Sequence, residues 1–325
     1  MITKEGLIAD FRNLGVEEGD VLYIRGDMGE LGDPREFAGK IQDLFMDALL
    51  EAVGKEGTII TSAFTCLYLP WQLTPDKIYT LKTHSYAGTL PRLFLKRSNC
   101  LRSKHPSNSC VAIGKQAEYL LKDHNAFSSA YAPIGKAIEL NAKIISFGCI
   151  ESNAGFPTTH YVEEVLGLTR KTLLRGLWRV YYIDDEGNKK LFKRMDPGGC
   201  CGRVYTFYKE YQKAGLLKVS SIGRALAMAC HLKDEFELEY KLLQNNNAAV
   251  SCDNPDCIYC NLLTPRKKYV LWKFVFYKIW VISFKIIRSI LKREDWKNVI
   301  RARTDYKINE DPIFREEIER LKIKY

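Results

Sequence analysis

Apolar residues along the first part of the chain switch between helical and extended spacing. Residues 3–14 and 35–53 carry apolar side chains at every third or fourth position, which predicts two helices. The short apolar runs 21–24 and 58–61 each follow one of these helices and predict buried strands. Gly54, just past the second helix, is a common helix terminator. Strands that alternate with helices are typical of a layered α/β domain.

The alternation continues to about residue 150, and the pattern then changes. Beyond Gly167, two β-rich runs flank the turn sequence Asp-Asp-Glu-Gly-Asn, which predicts a β-hairpin. The further predicted elements are a helix over 90–96, strands over 110–114 and 143–147, hairpin strands over 178–183 and 189–192, and helices over 204–214 and 234–243. We therefore expect a main domain over residues 1–264 and a distinct extension over 265–325.

The positive charge of the chain is concentrated in that extension. The whole chain has a formal net charge of +10. Residues 266–303 contain twelve Lys and Arg against two acids, a local balance of +10 that equals the whole excess. A balanced main domain argues against a nucleic-acid-binding face spread over the fold, so no nucleic acid partner is expected.

Residues 269–292 combine this charge with a dense set of aromatic and aliphatic side chains. No uncharged run exceeds six residues, against the roughly 20 that a membrane-spanning helix needs. On a helix, five basic residues share one face and the large apolar residues share the other. One interpretation is peripheral contact with an anionic membrane, on its inner face. The other is packing on the main domain or on another subunit of a homo-oligomer. Residues 303–325 predict a further amphipathic helix in this basic, helical C-terminal extension.

The first fifteen residues have neither a continuous apolar stretch nor a small-residue cleavage site, so no signal peptide is predicted. We therefore expect the protein in the cytoplasm. Thiols stay reduced there, and the ten cysteines are expected to be free thiols or metal ligands rather than disulfides.

Three cysteines lie close together at Cys252, Cys257 and Cys260. The last two, spaced as Cys-x-x-Cys, form half of a zinc knuckle, and four ligands are usual for a structural zinc ion. A fourth ligand is predicted at Cys201, with Cys200, Cys230 and His231 as the other candidates. The alternative interpretation is a group of reduced thiols without metal.

Two histidines lie in patterns that suit catalysis or binding. With Thr158 or Thr159 as the helix cap, Glu163 falls one turn from His160 on the same helical face. A carboxylate there orients an imidazole as a general base, although the same spacing is common on exposed helices. His105 lies in a loop rich in hydrogen-bonding groups ahead of a predicted strand, which suits either ligand binding or a structural loop.

Six motifs follow one another in a particular order. They are Gly19-Asp20-Val21-Leu22, residues 53–58 (VGKEGT), residues 102–114 (RSKHPSNSCVAIG), Ala132-Pro133-Ile134-Gly135, residues 143–148 and His160-Tyr161-Val162-Glu163. This succession resembles the aminoglycoside 3-N-acetyltransferase family over about residues 5–245. The resemblance implies a layered α/β/α fold, acetyl-coenzyme A or another acyl-coenzyme A as donor, and a primary amine of an amino sugar as acceptor.

The resemblance also implies roles for individual residues. His160 would be the catalytic base, Glu163 would orient it, and Thr159 would help to stabilise the tetrahedral intermediate. The predicted coenzyme contacts are Arg25, Gly26, Asp27, Ser107 and Ser109, and the predicted substrate contacts are His105, Arg102 and Asn153.

The chain departs from the family pattern at two places. Arg25-Gly26-Asp27-Met28 stands where the family has His-Ser/Ala-Ser-Leu, and the approach to His160 from Asn153 is longer and contains Gly and Pro. Both changes flank the expected donor and acceptor sites. They indicate a changed substrate or, as the alternative, a catalytically inactive coenzyme-binding scaffold.

The acceptor is predicted from charge. Residues 68–104 contain seven Lys and Arg against Asp76 alone, whereas cationic aminoglycosides favour an acidic cleft. A basic rim favours a nucleotide-linked amino sugar, as in the biosynthesis of lipopolysaccharide O-antigen or another surface glycan. Modification of aminoglycoside antibiotics is the alternative.

Overall fold

A seven-stranded mixed sheet forms the centre of the computed structural model. The structure describes residues 1–151, 155–169, 176–195, 203–252, 257, 260, 275–276, 278–280, 283 and 307–321. The sheet has the strand order β4-β5-β2-β1-β6-β10-β9, and a smaller sheet has the order β3-β7-β8. The strands are β1 (Val21–Gly26), β2 (Thr58–Ser62), β3 (Ile78–Tyr79), β4 (Leu101–Arg102), β5 (Cys110–Gly114), β6 (Lys143–Phe147), β7 (Arg179–Ile183), β8 (Lys189–Lys193), β9 (Lys218–Ile222) and β10 (Ala225–His231).

The three central strands of the large sheet run parallel. In β1, Tyr23 pairs with Ile60 of β2 and Ile24 pairs with Ile145 of β6, whereas the outer strand pairs are antiparallel. Parallel strands place their carboxyl ends at one edge of a sheet, and loops at that edge are where ligands bind in open α/β sheets. The segments after Gly26, Ser62 and Phe147 therefore start from the same edge.

Helices cover both faces of the large sheet. Alternate residues of β1 point to opposite faces: Leu22 and Ile24 belong to one apolar core, and Tyr23 belongs to the other. The helices are α1 (Lys4–Asn13), α2 (Ile41–Val53), α3 (Thr89–Leu95), α4 (Ala117–Leu121), α5 (Ala132–Glu139), α6 (Thr158–Val165), α7 (Thr206–Lys213), α8 (Leu232–Asn245) and α9 (Pro312–Leu321). Helices α1–α3 pack on the first face and α4–α9 on the second, so the predicted α/β/α layering is confirmed.

The long helix predicted over 35–53 is shorter than expected. A 3-10 turn covers Pro34–Glu36, and α2 begins only at Ile41. Between them, Phe37 forms a β-bridge with Ile2, and the amide of Ala38 donates to the carbonyl of Ile2 at 2.9 Å. Pairing with the N-terminal residues thus keeps this part of the chain extended, which periodicity alone does not reveal.

The hairpin predicted over 178–192 is confirmed as β7 and β8, but β9 and β10 were not predicted. Gly223, at φ 57°, turns the chain between them, and β10 pairs antiparallel with β6. Six consecutive residues of β10, from Ala225 to Cys230, are buried. Such a strand lacks the alternation of polar and apolar residues that marks a half-buried strand. Its periodicity therefore does not distinguish it from a short buried helix.

The end of the predicted extension packs into the main body. Phe314 and Ile318 of α9 are buried in the same core as Tyr23. Asp311 pairs with Lys209 at 3.0 Å, and the amide of Ile308 donates to Glu151 Oε1 at 2.6 Å. The boundary predicted at 264/265 lies outside the described residues. Most of the helix predicted over 269–292 does too, and the part of the chain that the structure describes contains no helix long and apolar enough to span a membrane.

We expect Phe314→Ala to lower the free energy of unfolding by about 3–5 kcal/mol, because it removes a fully buried aromatic side chain. The neighbouring Ile313 is 37% exposed, so Ile313→Ala is the control and is expected to cost less than about 1 kcal/mol. Urea unfolding of both variants measures the difference. Equal small losses would show that α9 does not contribute to the core.

Candidate active site

Helix α6 carries the predicted catalytic pair, but it begins differently from the prediction. Pro157 is the N-cap and makes no side-chain cap hydrogen bond, and Thr158 is the first helical residue. Thr158 and Thr159 are both fully buried. The hydroxyl group of Thr159 donates to Glu239 on α8 instead of capping α6, and the prediction of a threonine cap is wrong.

His160 and Glu163 form a hydrogen-bonded pair on α6. His160 Nδ1 lies 2.8 Å from Glu163 Oε2; the Glu163 side chain is fully buried and that of His160 is 17% exposed. A carboxylate acceptor at Nδ1 fixes the tautomer with its proton there and leaves the basic lone pair on Nε2. The ring of Tyr131 lies 5.6 Å from the imidazole and restricts its orientation. This arrangement suits a general base.

Helix α8 carries two carboxyl groups behind α6 that were not predicted. Glu235 and Glu239 on α8 are both fully buried. Thr159 Oγ1 and the hydroxyl of Tyr211 both donate to Glu239 Oε1. The sequence does carry a signal, because Leu232, Glu235, Glu239 and Leu243 form the buried stripe of α8, where two glutamates are unusual.

Both carboxyl groups hold protons well above the ordinary pH range of a glutamate. Burial, which disfavours the charged form, raises the pKa of Glu239 to about 8. Burial and the neighbouring Glu239 raise the pKa of Glu235 well above its usual value. Among the described residues, neither Glu235 oxygen has a hydrogen-bond partner. Glu239 is thus mainly neutral at pH 7, which removes a repulsive charge from the vicinity of Glu163.

Thr159 connects helix α6 to the buried carboxyl pair of α8. Its side chain is fully buried, and its hydroxyl proton is directed to Glu239. This geometry ties the first turn of α6 to α8 and thereby fixes the position of His160. The role of Thr159 in stabilising the tetrahedral intermediate stays a prediction.

The carboxyl end of β1 is connected to the segment that leads into α6. Arg25 Nη1 donates to the carbonyl of Gly155 at 2.6 Å, and the amide of Gly155 donates to the hydroxyl of Tyr208 at 2.7 Å. A side chain on Gly26 would place its Cβ 2.3 Å from the ring of Phe147, which explains why glycine occupies this position. The exposed Asp27 accepts from the amide of Gly29 at 2.9 Å. The predicted coenzyme contacts of Arg25, Gly26 and Asp27 stay predictions.

His105 is an internal residue of its loop. Its side chain is 2% exposed, and its Nδ1 accepts the amide proton of Asn108 at 3.0 Å. The ring stacks on His124 with 4.7 Å between the ring centroids. Burial lowers the pKa of His105 well below its usual value, with a further contribution from His124. A neutral, enclosed imidazole organises the loop, and direct contact with substrate stays a prediction.

Arg102 and Ser109 form a buried brace beside this loop. Arg102 donates from Nε to Ser109 Oγ and from Nη2 to the carbonyl of Ala63, both at 3.1 Å, and Ser109 Oγ donates to the same carbonyl at 2.8 Å. The other terminal nitrogen donates to the carbonyl of Leu81 at 3.1 Å. The neighbouring Ser107 Oγ donates to Asn108 Oδ1 at 2.7 Å. The guanidinium therefore holds three loop segments together.

The predicted site residues thus fall into separate groups. His160, Glu163 and Thr159 lie together on α6, and Arg25 approaches them through Gly155. Arg102, His105, Ser107 and Ser109 form the other group. Asn153 and Cys201 lie outside the described residues. The α/β/α domain thus presents on helix α6 a carboxylate-oriented histidine, a side-chain pair that suits general-base chemistry.

Comparison with known proteins identifies the family. Residues 30–244 match the family model described as aminoglycoside 3-N-acetyltransferase. The aminoglycoside N(3)-acetyltransferase III of Serratia marcescens is 23% identical over 256 residues, which cover 69% of this chain and 91% of that enzyme. The chain therefore belongs to the aminoglycoside 3-N-acetyltransferase family and is an acyl-coenzyme A-dependent amine N-acyltransferase.

Solved structures share the fold. A mutant of aminoglycoside acetyltransferase AAC(3)-IVa in complex with a gentamicin has a TM-score of 0.66 at 19% identity, covering 82% of this chain and 97% of that one. AAC-IIIb in a binary complex with coenzyme A has a TM-score of 0.64 at 19% identity, covering 75% of this chain and 97% of that one.

The raised pKa of Glu239 predicts how stability depends on pH. Between the unfolded-state pKa near 4.5 and the folded-state pKa of about 8, the folded protein holds one more proton than the unfolded chain. Stability therefore falls as pH rises through this window, by up to about 1.4 kcal/mol per pH unit for one proton. Glu235 contributes with the same sign.

We expect the free energy of unfolding of Glu239→Gln to decline less steeply with pH than that of the wild type. The stability of the variant relative to the wild type should therefore be higher at pH 8 than at pH 5.5. Urea unfolding across this range measures the slope. Glu237 is exposed on the same helix, and Glu237→Gln is the control that should keep the wild-type slope. Identical slopes for the wild type and both variants would contradict a protonated Glu239.

Proposed function

We propose that this enzyme transfers an acetyl group from acetyl-coenzyme A to a primary amine of an aminoglycoside, with His160 as the general base. The hydrogen bond of 2.8 Å between His160 Nδ1 and Glu163 Oε2 carries the proposal, because it places a carboxylate-oriented imidazole inside the segment that matches the family. It also favours an active enzyme over an inactive scaffold.

The chemical steps follow from this pair. His160 Nε2 accepts a proton from the substrate ammonium, and Glu163 stabilises the imidazolium that results. The free amine attacks the thioester carbonyl and forms a tetrahedral intermediate. Collapse of the intermediate breaks the carbon–sulfur bond. The leaving thiolate takes up the second proton of the attacking nitrogen, so the products are the amide and the coenzyme thiol, and His160 releases its proton to solvent. The acyl group never bonds to the enzyme, so no cysteine is needed as a nucleophile.

In the folded chain, most of the basic side chains that predicted a nucleotide-linked acceptor are paired with other groups of the protein. Lys104 pairs with Asp185, Arg97 with Asp47 at 2.8 Å and Lys77 with Asp76 at 3.5 Å. Arg102 is buried against backbone carbonyls. Arg92 donates to the carbonyl of Ser85 at 3.2 Å, so five of the seven basic side chains of residues 68–104 have partners within the fold.

Carboxylates at the carboxyl edge of the sheet support a cationic acceptor instead. Asp27 and Glu30 are exposed just after β1, and the Glu30 side chain lies against Gly148 after β6. Carboxylates at a cleft attract the ammonium groups of an aminoglycoside and repel the diphosphate of a nucleotide sugar. Relatives named as aminoglycoside acetyltransferases, one of them with a gentamicin bound, point to the same acceptor class.

The test measures thiol release from acetyl-coenzyme A with two sets of acceptors, aminoglycosides such as gentamicin and apramycin, and nucleotide-linked amino sugars. We expect turnover with the aminoglycosides. His160→Ala is expected to reduce it by roughly 10²–10⁴-fold, the range for a lost general base. His84 is exposed in a loop, and His84→Ala is the control that should keep wild-type activity. Turnover with nucleotide-linked sugars alone would refute the acceptor, and an active His160→Ala would refute the base.

We also propose that the basic extension binds anionic membranes peripherally. Phe276, Ile279 and Trp280 are 68%, 58% and 67% exposed, and they belong to the segment whose Lys and Arg residues account for the net charge. Each Lys or Arg near an anionic surface contributes about 1 kcal/mol of binding, which salt weakens. Exposed aromatic residues beside such charge suit the membrane interface. A homo-oligomer stays a prediction.

Co-sedimentation with vesicles tests this proposal. We expect the wild type to sediment with phosphatidylserine vesicles, less at high salt and little with neutral phosphatidylcholine. The double variant Phe276→Ser, Trp280→Ser should lose this binding, whereas Trp71→Ser, which alters a tryptophan that is 75% exposed elsewhere, should keep it. Truncation of the extension is unsuitable because it removes the buried Phe314. Unchanged sedimentation of the double variant would contradict the proposal.

A further inference from the structure

Three cysteine thiols converge in the segment of the chain that follows α8. The sulfur atoms of Cys252, Cys257 and Cys260 all lie within 4.8 Å of one another. Cys257 is 6% exposed, and Cys252 and Cys260 are half-buried. Among the described residues, the structure records no disulfide between any two of the three.

The sulfur positions fit the dimensions of a thiolate–zinc centre. With zinc–sulfur bonds of about 2.3 Å, the edge of a tetrahedron is about 3.8 Å. Cys252 Sγ and Cys260 Sγ are 3.8 Å apart. A disulfide would require about 2.05 Å between the two sulfur atoms. The separation therefore matches two ligands of one tetrahedral ion.

The local backbone also favours a bound cation. The amide of Cys260 donates to Cys257 Sγ at 3.5 Å. An amide donor stabilises the negative charge of a thiolate, which is the form that binds metal. Three adjacent thiolates would repel one another without a cation between them, and burial of Cys257 increases that cost.

The thiol cluster is joined directly to the main core. Val250 and Ser251, immediately before Cys252, are 1% and 3% exposed, and Val250 packs in the same core as Leu243 of α8. An ion that crosslinks Cys252 to Cys257 and Cys260 therefore fixes the chain where it leaves α8. That helix also carries Glu235 and Glu239, which lie behind the catalytic helix.

We propose that Cys252, Cys257 and Cys260 are ligands of one structural zinc ion that closes the chain after α8. These three thiolates fill three positions of a tetrahedral ion, and Cys201, which lies outside the described residues, stays the predicted fourth ligand. An ion held by four thiolates has no open coordination position and takes no part in acyl transfer. The proposal does not depend on the acceptor or on the catalytic role of His160.

Metal analysis and thiol counting test the proposal on the full chain. We expect about one zinc ion per purified chain. After removal of zinc, Co²⁺ should give the charge-transfer absorption of cobalt–thiolate bonds and the visible bands of a tetrahedral site. The denatured protein should show all ten thiols, whereas a disulfide within the cluster would leave eight.

Two variants complete the test. Cys257→Ser should lose zinc and melt at a lower temperature than the wild type. Cys100→Ser, which alters a half-buried thiol outside the cluster, should keep the zinc content and the melting temperature of the wild type. If Cys257→Ser does not fold, the cobalt spectrum of the wild type still decides the question. Folded wild type that contains no zinc after expression with added zinc, or that gives no cobalt–thiolate absorption, would overturn the proposal.

Discussion

The hydrogen bond between Glu163 and His160 is the interaction on which the site depends. Glu163 is fully buried, and a buried carboxylate is costly unless a hydrogen-bonding partner compensates it. The imidazole at 2.8 Å supplies that partner. Helix α8 contributes in a different way, because burial keeps its own Glu239 largely protonated at neutral pH and so limits the negative charge next to Glu163. Three buried glutamates can therefore coexist beside one histidine.

The large sheet determines the position of the His160–Glu163 pair. Three parallel strands end at one edge, and the contact of Arg25 with the carbonyl of Gly155 joins that edge to the segment entering α6. The close approach of Phe147 to Gly26 shows how tightly β1 and β6 pack there. The departures from the family pattern at residues 25–28 thus have structural consequences, since they place a cation against the backbone and a carboxylate at the exposed edge.

The layered fold, the central strands and the pairing of His160 with Glu163 on one helix could all be predicted from the sequence. Strongly periodic helices and short β-branched strands carry local signals, and the family motifs lie in those same elements. Other features depend on contacts between distant residues. The end of the predicted helix over 35–53 is extended because Ile2 pairs with Phe37, and β10 has no alternation because its residues are buried on both faces. From the sequence, Arg102 is counted among the basic side chains of an exposed rim. In the fold, its guanidinium group is buried and donates to the carbonyl groups of Ala63 and Leu81.

We propose that the buried Glu163 carboxylate sets the basicity of the His160 imidazole as the general base. The pH dependence of kcat/KM tests it most directly, because the acidic limb reports the protonation of the essential base in the free enzyme. In Glu163→Gln the imidazolium loses its neighbouring negative charge, so the acidic limb should move to lower pH while the plateau rate falls. An acidic limb at the same pH in the wild type and in Glu163→Gln would contradict the account.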